Sequence, residues 1–415
     1  MKRVVITGMG ALTPVGLGLK SFWENLKIGK NGAGRITRFN PEKFRTQIAC
    51  ELKDFNAADW LDRAEIKRTD PFTQYALIAA EEAIKDAQID FSTVDPYDVG
   101  VIWGTGQGGM LTFEEQVREY AMNDFTPRFS PFFVPKLIAN MASGLISIKY
   151  GLKGINYSTV SACATSNTAI MDAFNYIRWG KAKMMITGGS EAPITEASIG
   201  GFCAMKAMTT RNDAPDLACR PFDKGRDGFL MGEGAGALVL EEYEHALARG
   251  ATIYAEIAGA AMTADAYHMT ATHPEGEGAY NAMRLALKDG GLLAEDVDYL
   301  NAHATSTAVG DMSELKAITR LFGENTSQLH ISATKSMTGH LLGAAGAIEA
   351  IASVMTIKEG IIAPTINLTD PDDTIPTDLK IVKLKALTKQ VNVAMSNTFG
   401  FGGHNGIVVF KKLNR

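Results

Sequence analysis

Cys163 lies in the run Ser158-Thr-Val-Ser-Ala-Cys-Ala-Thr-Ser-Asn-Thr-Ala, where small residues crowd a single thiol. Helical periodicity begins immediately after it and extends from Ala164 to Trp179. A cysteine at a helix N-terminus faces the positive end of the helix dipole, which favours thiolate over thiol. Thiolate is the nucleophile that forms thioesters. The expectation is therefore an activated cysteine with a depressed pKa. A lone cysteine is more often an inert small hydrophobe, so Cys163 needs companions before it signifies anything.

Two of the seven histidines supply them. His303 follows Asp298-Tyr-Leu-Asn-Ala and precedes Ala304-Thr-Ser-Thr, while His340 ends Lys335-Ser-Met-Thr-Gly-His and leads into a helix. A histidine at such a turn, kept neutral by the helix dipole, can donate from Nε2. Two such donors aimed at one thioester carbonyl would stabilise an enolate. A structural histidine satisfied by backbone is an equal claim for each one taken singly. His245 and His330 read as ordinary surface or capping residues.

The loop Gly104-Thr-Gly-Gln-Gly-Gly109 matches G-x-G-x-x-G after a strand. No strand with a terminal acidic residue closes a βαβ unit before Pro127, so dinucleotide binding is not expected. Gly8-Met-Gly10 lacks the third glycine. Four cysteines without C-x-x-C spacing argue against zinc and disulfide frameworks. A net charge of −5 argues against a general nucleic-acid binder. With 46% hydrophobic and 21% charged residues, the chain has a globular composition. Met1 to Gly10 holds no apolar signal core, and the most apolar run, Leu341 to Met355, is interrupted by Glu349. A cytoplasmic protein with no membrane span is expected.

The elements that must position these residues alternate in β and α character, which predicts an α/β fold for the 415 residues. Strands are expected at Arg3–Thr7, Val99–Trp103, Met184–Thr187 and Leu238–Glu241, with a helix over Thr69–Ala87. The plan then recurs. Ile253–Ile257 opens a second half, Tyr280–Asp289 is a helix, Asp298–Asn301 a strand and Gly343–Lys358 a long helix. Gly232-Glu-Gly-Ala-Gly and Gly400-Phe-Gly-Gly-His each feed an apolar strand at the end of a half. The expected units are residues 1–250, carrying the cysteine, and 251–415, carrying both histidines.

Together these segments resemble the β-ketoacyl-acyl carrier protein synthases, nearest to the elongating type II synthases of bacterial fatty-acid synthesis. The markers are Val160-Ser-Ala-Cys-Ala, Arg220-Pro-Phe-Asp, Asp227-Gly-Phe, Gly232-Glu-Gly-Ala, Lys335-Ser-Met-Thr-Gly-His and Asn397-Thr-Phe-Gly-Phe-Gly-Gly-His-Asn. The resemblance runs from Val4 to Phe410. It implies a thiolase-like αβαβα fold of two duplicated halves, and a decarboxylating condensation of an acyl thioester on Cys163 with malonyl-acyl carrier protein. It makes His303 and His340 the carbonyl-binding pair, Lys335 the charge that orders them and Glu349 its partner. The N–H groups of Cys163 and Phe401 become the oxyanion hole, Phe401 also gating the acyl pocket, and Thr305 and Thr307 hold the phosphopantetheine arm. No metal or other cofactor is implied beyond that substrate-borne arm.

The sequence departs from the family pattern at Ala304 and Ala308, and at Gln107 in the loop expected beside the acyl pocket. A dedicated polyketide or polyene pathway therefore competes with fatty-acid elongation. A non-catalytic chain-length subunit is disfavoured by Cys163 and both histidines. The implied partner is an acidic carrier protein, for which Lys67, Arg68, Arg128, Lys206 and Arg211 are the candidate basic patch. A homodimer is implied, with a heterodimer with a related ketosynthase as the alternative.

Overall fold

A computed structural model describes residues 1–413. The opening strand β1 (Val4–Thr13) is buried along its whole length, so it runs well past Thr7. Gly8 and Gly10 explain the difference. A Cβ at these positions would lie 2.2 Å and 2.1 Å from the Ala83 and Ala79 carbonyl oxygens of helix α1 (Pro71–Asp86). The glycines mark a strand pressed onto a helix backbone, not a turn. Helix α1 itself starts as its sequence dictates. Asp70 accepts from the Phe72 N–H at 3.1 Å, and Pro71 occupies a first-turn position that needs no donor.

Strands β2 (Val99–Gly104), β3 (Asn156–Thr159), β4 (Met184–Glu191) and β5 (Gly234–Glu242) join β1 in the spatial order β3-β2-β4-β5-β1. β2 is parallel to β3 and β4, while β5 is antiparallel to β4 and β1. The later strands are β6 (Ala255–Ala264), β7 (Tyr299–Asn301), β8 (His330–Ser332), β9 (Val393–Gly400) and β10 (His404–Lys411). Their order, β8-β7-β9-β10-β6, repeats the first set with the same parallel and antiparallel senses. The sets meet where Val5 pairs with Glu256 and Ile6 with Ala255.

Four further helices complete the layers, α2 (Thr165–Arg178), α3 (Glu277–Gly290), α4 (Ala308–Phe322) and α5 (Ala345–Glu359). Every residue of α5 from Ala345 to Ile357 is buried. A helix that is apolar and small on all sides has no solvent face to offer, and it belongs inside. Helices α2 and α5 share one apolar core with the inner faces of both strand sets. A second core joins α1 to the outer face of the first set, and a third joins α3 and α4 to the outer face of the second. The result is the expected αβαβα layering. Among the described residues no helix is long and apolar enough to cross a membrane.

Candidate active site

Beyond β3 the chain makes a tight turn, Ala162–Ala164, before entering α2. Ala162 takes the left-handed conformation, φ +50°, a strained choice for a residue with a Cβ. Thr165 holds the turn by accepting from the Ser161 N–H at 2.8 Å and donating to the Ala162 carbonyl at 2.6 Å. The turn presents Cys163 to a cavity of ≈ 500 Å³. The end of β9 lies directly on this turn. A Cβ on Gly400 would sit 2.7 Å from the Ser161 carbonyl and 2.9 Å from the Cys163 nitrogen, so only glycine fits. That approach brings the N–H groups of Phe401 and of Cys163 itself onto the sulfur.

The expected low thiol pKa is not what the structure produces. Although Cys163 is only half-buried as a residue, its sulfur is enclosed, and burial pushes the thiol up to about 12. The Lys335 charge and the two N–H groups pull in the other direction, and buried Glu191 adds to the rise. Desolvation of a thiolate outweighs the helix end here. Cys163 therefore rests as a thiol.

Both histidines line the same cavity. The main chain at His303 is fixed by Glu314 of α4, which accepts the N–H of His303 at 2.9 Å, of Ala304 at 2.8 Å and an amide N–H of Asn397 at 2.9 Å. His340 is pinned through its own backbone, donating to the Leu230 carbonyl at 2.7 Å and accepting from the Gly232 N–H at 2.9 Å. The two rings meet edge to face, with centroids 5.4 Å apart at 87°. Phe399 packs on the His303 ring and Phe229 on the His340 ring. Burial holds both imidazoles well below their ordinary pKa, with the Lys335 charge adding to it. They are neutral, as expected, with burial the larger cause and the Lys335 charge the smaller. Each Nδ1 is buried without a partner among the described residues. A hydrogen there would be a buried donor with no acceptor, so the proton belongs on Nε2 and each ring is a donor from that nitrogen.

Lys335 and Glu349 stand behind this pair, outside the cavity lining, with Nζ 2.5 Å from Oε1. Thr305 and Thr307 line the cavity with their hydroxyl oxygens 3.2 Å apart, and Phe401 lines it as well. Gln107 does not line this cavity. Its side-chain carbonyl accepts from Ser198 Oγ at 2.8 Å. Lys206 does line the cavity. Lys67, Arg68 and Arg128 are exposed elsewhere, Arg68 over the Phe132 ring, and Arg211 is half-buried.

Two buried carboxylates escaped the sequence reading. Glu314 looks like any helix glutamate, and nothing in its spacing distinguishes it. Glu191 ends an unbroken buried strand, β4, which was a usable signal. It accepts from the N–H groups of Gly106 at 2.7 Å, Gln107 at 2.9 Å and Gly343 at 2.9 Å, and from Thr105 Oγ1 at 3.0 Å. The glycine loop thus cradles an anion as such loops do, but the anion is the protein's own.

Residues 1–246 match the family model described as Beta-ketoacyl synthase, N-terminal domain, and residues 254–369 match its C-terminal domain. A 3-oxoacyl-[acyl-carrier-protein] synthase 2 of Staphylococcus aureus is 54% identical over 411 residues, covering 99% of this chain and 98% of that protein. Two solved structures superpose over 100% of both chains at 33% identity. One is the ishigamide ketosynthase/chain length factor, with a TM-score of 0.93. The other is a type II polyketide acyl-carrier protein in complex with its ketosynthase bound to the hexaketide, with a TM-score of 0.91.

Proposed function

The chain belongs to the β-ketoacyl synthase family, and from that premise we propose that it condenses an acyl group held on Cys163 with malonyl-acyl carrier protein in fatty-acid elongation. The observation that carries the assignment of residues is the convergence of Cys163, His303 and His340 on one cavity. The 54% identity to a 3-oxoacyl-[acyl-carrier-protein] synthase 2, against 33% to the two ketosynthase structures, favours elongation over a dedicated polyketide or polyene role.

In the first half-reaction the Cys163 sulfur attacks the acyl thioester carbon. Its proton ends on the departing pantetheine sulfur, while the N–H groups of Cys163 and Phe401 hold the developing oxyanion. In the second, the malonyl carboxylate leaves as carbon dioxide and its bonding electrons form an enolate. The Nε2–H groups of His303 and His340 stabilise the enolate oxygen, with Thr305 and Thr307 holding the arm. The enolate carbon attacks the acyl carbonyl, the C–S bond to Cys163 breaks, and the released thiolate takes a proton from solvent. Proximity of both substrates in one enclosed site supplies much of the rate.

The partners follow. The carrier protein is acidic, and Lys206 at the cavity is the candidate most directly placed to meet it, with Lys67, Arg68, Arg128 and Arg211 further out. The chain divides at residues 1–250 and 251–415, the last two residues lying outside the described ones. A homodimer is favoured by the free edge of β3. Beside that edge Val160, Phe113, Phe129, Val134 and Ile138 are exposed. Phe113, Phe133 and Phe129 stack in sequence, and Ser158 of β3 bonds the Ala139 carbonyl of the same patch. Sedimentation of the purified chain alone separates this from an obligate heterodimer.

Intact-mass measurement after incubation with acyl-carrier substrates tests the central reading. Cys163→Ala should lose the acyl mass increment, whereas His303→Ala and His340→Ala should acquire it. Each histidine variant should lose about 10²–10³ in malonyl decarboxylation, the loss expected when one oxyanion donor is removed. Acylation of the Cys163→Ala protein would overturn the assignment.

A further inference from the structure

Arg226 is almost completely enclosed, with 4% of its side chain exposed, and it does not line the cavity. Its guanidinium is spent on the main chain of the Thr305–Ala308 segment. Nε donates to the Thr307 carbonyl at 3.2 Å and Nη2 to the Ala308 carbonyl at 2.9 Å. Nη1 donates to the Asp223 carbonyl at 2.8 Å and to the Asp372 carboxylate at 2.9 Å. The same segment is gripped from further points. Ser306 is held at φ +67°, its hydroxyl accepting from the Arg220 N–H at 3.1 Å and its carbonyl from the Gly228 N–H at 3.0 Å. Asp311 accepts from the Thr307 N–H at 3.2 Å and from the Phe222 N–H at 3.0 Å. The stretch Arg220–Gly228 is therefore a bracket around the turn that carries Thr305 and Thr307.

A left-handed serine between the two threonines is not a conformation the turn would hold unaided. Burying a guanidinium is costly unless its donors are met, and two of the four hydrogen bonds it donates end on this turn. A lysine could not replace it, because only a planar fork reaches two successive carbonyls and a carboxylate at once. We propose that Arg226 is a positioning residue for the thioester arm, fixing the Thr305–Ala308 backbone so that both threonine hydroxyls meet the substrate together. The inference rests on the reading of Thr305 and Thr307 as pantetheine-binding. It goes beyond that reading by placing control of arm affinity on a residue the substrate never touches.

The test measures KM and kcat separately for acyl- and malonyl-pantetheine thioesters, alongside thermal unfolding. Arg226→Met and Arg226→Lys should each raise KM about tenfold for both thioesters, with kcat changed less than about threefold, as loss of charge-assisted hydrogen bonds would give. Because lysine keeps the charge but not the fork, the Lys variant should resemble the Met variant. Thr307→Val should raise KM alone, and adding it to Arg226→Met should raise KM little further, since both act on one contact. Independent, multiplying effects would overturn the proposal, as would a folded Arg226 variant with unchanged KM or with a loss confined to kcat. If Thr305→Val and Thr307→Val both leave KM unchanged, the pantetheine reading fails first. Should Arg226→Met not fold, Asp372→Asn releases one arm of the fork near the surface, and a KM rise of about two- to threefold is expected. No rise there would sink the idea.

Discussion

Lys335 and Glu349 form an ion pair sealed from solvent, with Nζ 2.5 Å from Oε1 and 1% of either side chain exposed. Burial pushes the Glu349 carboxyl up to about 7 against the pull of Lys335. The ammonium charge acts on three groups of the cavity wall at once. It lowers the pKa of His303 and His340 and opposes the burial-driven rise of the Cys163 thiol. One buried cation thus adds to the burial that keeps the histidines neutral and makes thiolate less costly.

Lys335→Met should raise both histidine pKa values, because a nearby positive charge that disfavoured imidazolium is gone. Decarboxylation needs the neutral rings, so the acid limb of its pH profile should move upward toward neutrality. Breaking the pair should also cost about 3–5 kcal/mol of stability. Glu349→Gln retains the cation and should not move the limb upward. An acid limb unchanged by Lys335→Met would remove the lysine from this role.

The thiol makes a second prediction. With its pKa pushed up to about 12, the thiolate fraction of Cys163 lies far below one at neutral pH. The alkylation rate by iodoacetamide should climb about tenfold per pH unit from 7 to 9, with no plateau. Lys335→Met should slow alkylation at every pH in that range. A plateau below pH 8 would show a depressed pKa and restore the helix-end account.

Much of this site was legible before any coordinates. Cys163, His303 and His340 are marked by residue type and by the turns around them, and the repeated glycine-to-strand endings announced two matching halves. The pKa of Cys163 was not legible, because helix-end geometry is local whereas desolvation depends on everything that closes over the sulfur. Glu314 and Arg226 were invisible for a related reason. Their chemistry is directed at backbone groups, and backbone partners carry no sequence signal. The expected strand stopped at Thr7, short of Gly8 and Gly10, since a glycine required by a helix pressed against a strand looks the same on paper as one that ends a strand.

Lys206 lines the cavity while Lys67, Arg68 and Arg128 do not, so the basic candidates should separate by experiment. Lys206→Glu should raise KM for a carrier-linked thioester about tenfold at low salt and much less at high salt, since exposed charges are screened. KM for the small pantetheine thioester should stay within about twofold. Equal loss with both substrates would mean that the cavity wall, not the docking of an acidic partner, had been damaged.

Gln107 joins two parts of the site that the cavity alone does not connect. Its backbone N–H belongs to the cradle around Glu191, while its side-chain carbonyl accepts from Ser198. Ser198 is 5% exposed and lies on the helix Glu196–Ala204, which also carries Phe202 of the cavity wall. Gln107→Ile leaves the backbone cradle intact and removes only the side-chain tie. The Ser198 hydroxyl then loses its acceptor in a buried place, which should cost about 1–3 kcal/mol. Adding Ser198→Ala should recover most of that loss, because removing both partners leaves nothing unsatisfied. Freed from a polar anchor, the helix carrying Phe202 should accommodate longer acyl groups. Competition between short and long saturated acyl thioesters should therefore shift toward the longer donors in Gln107→Ile, and further in the double variant. A changed stability with an unchanged acyl profile would leave the Gln107–Ser198 bond as a structural tie with no part in chain-length selection.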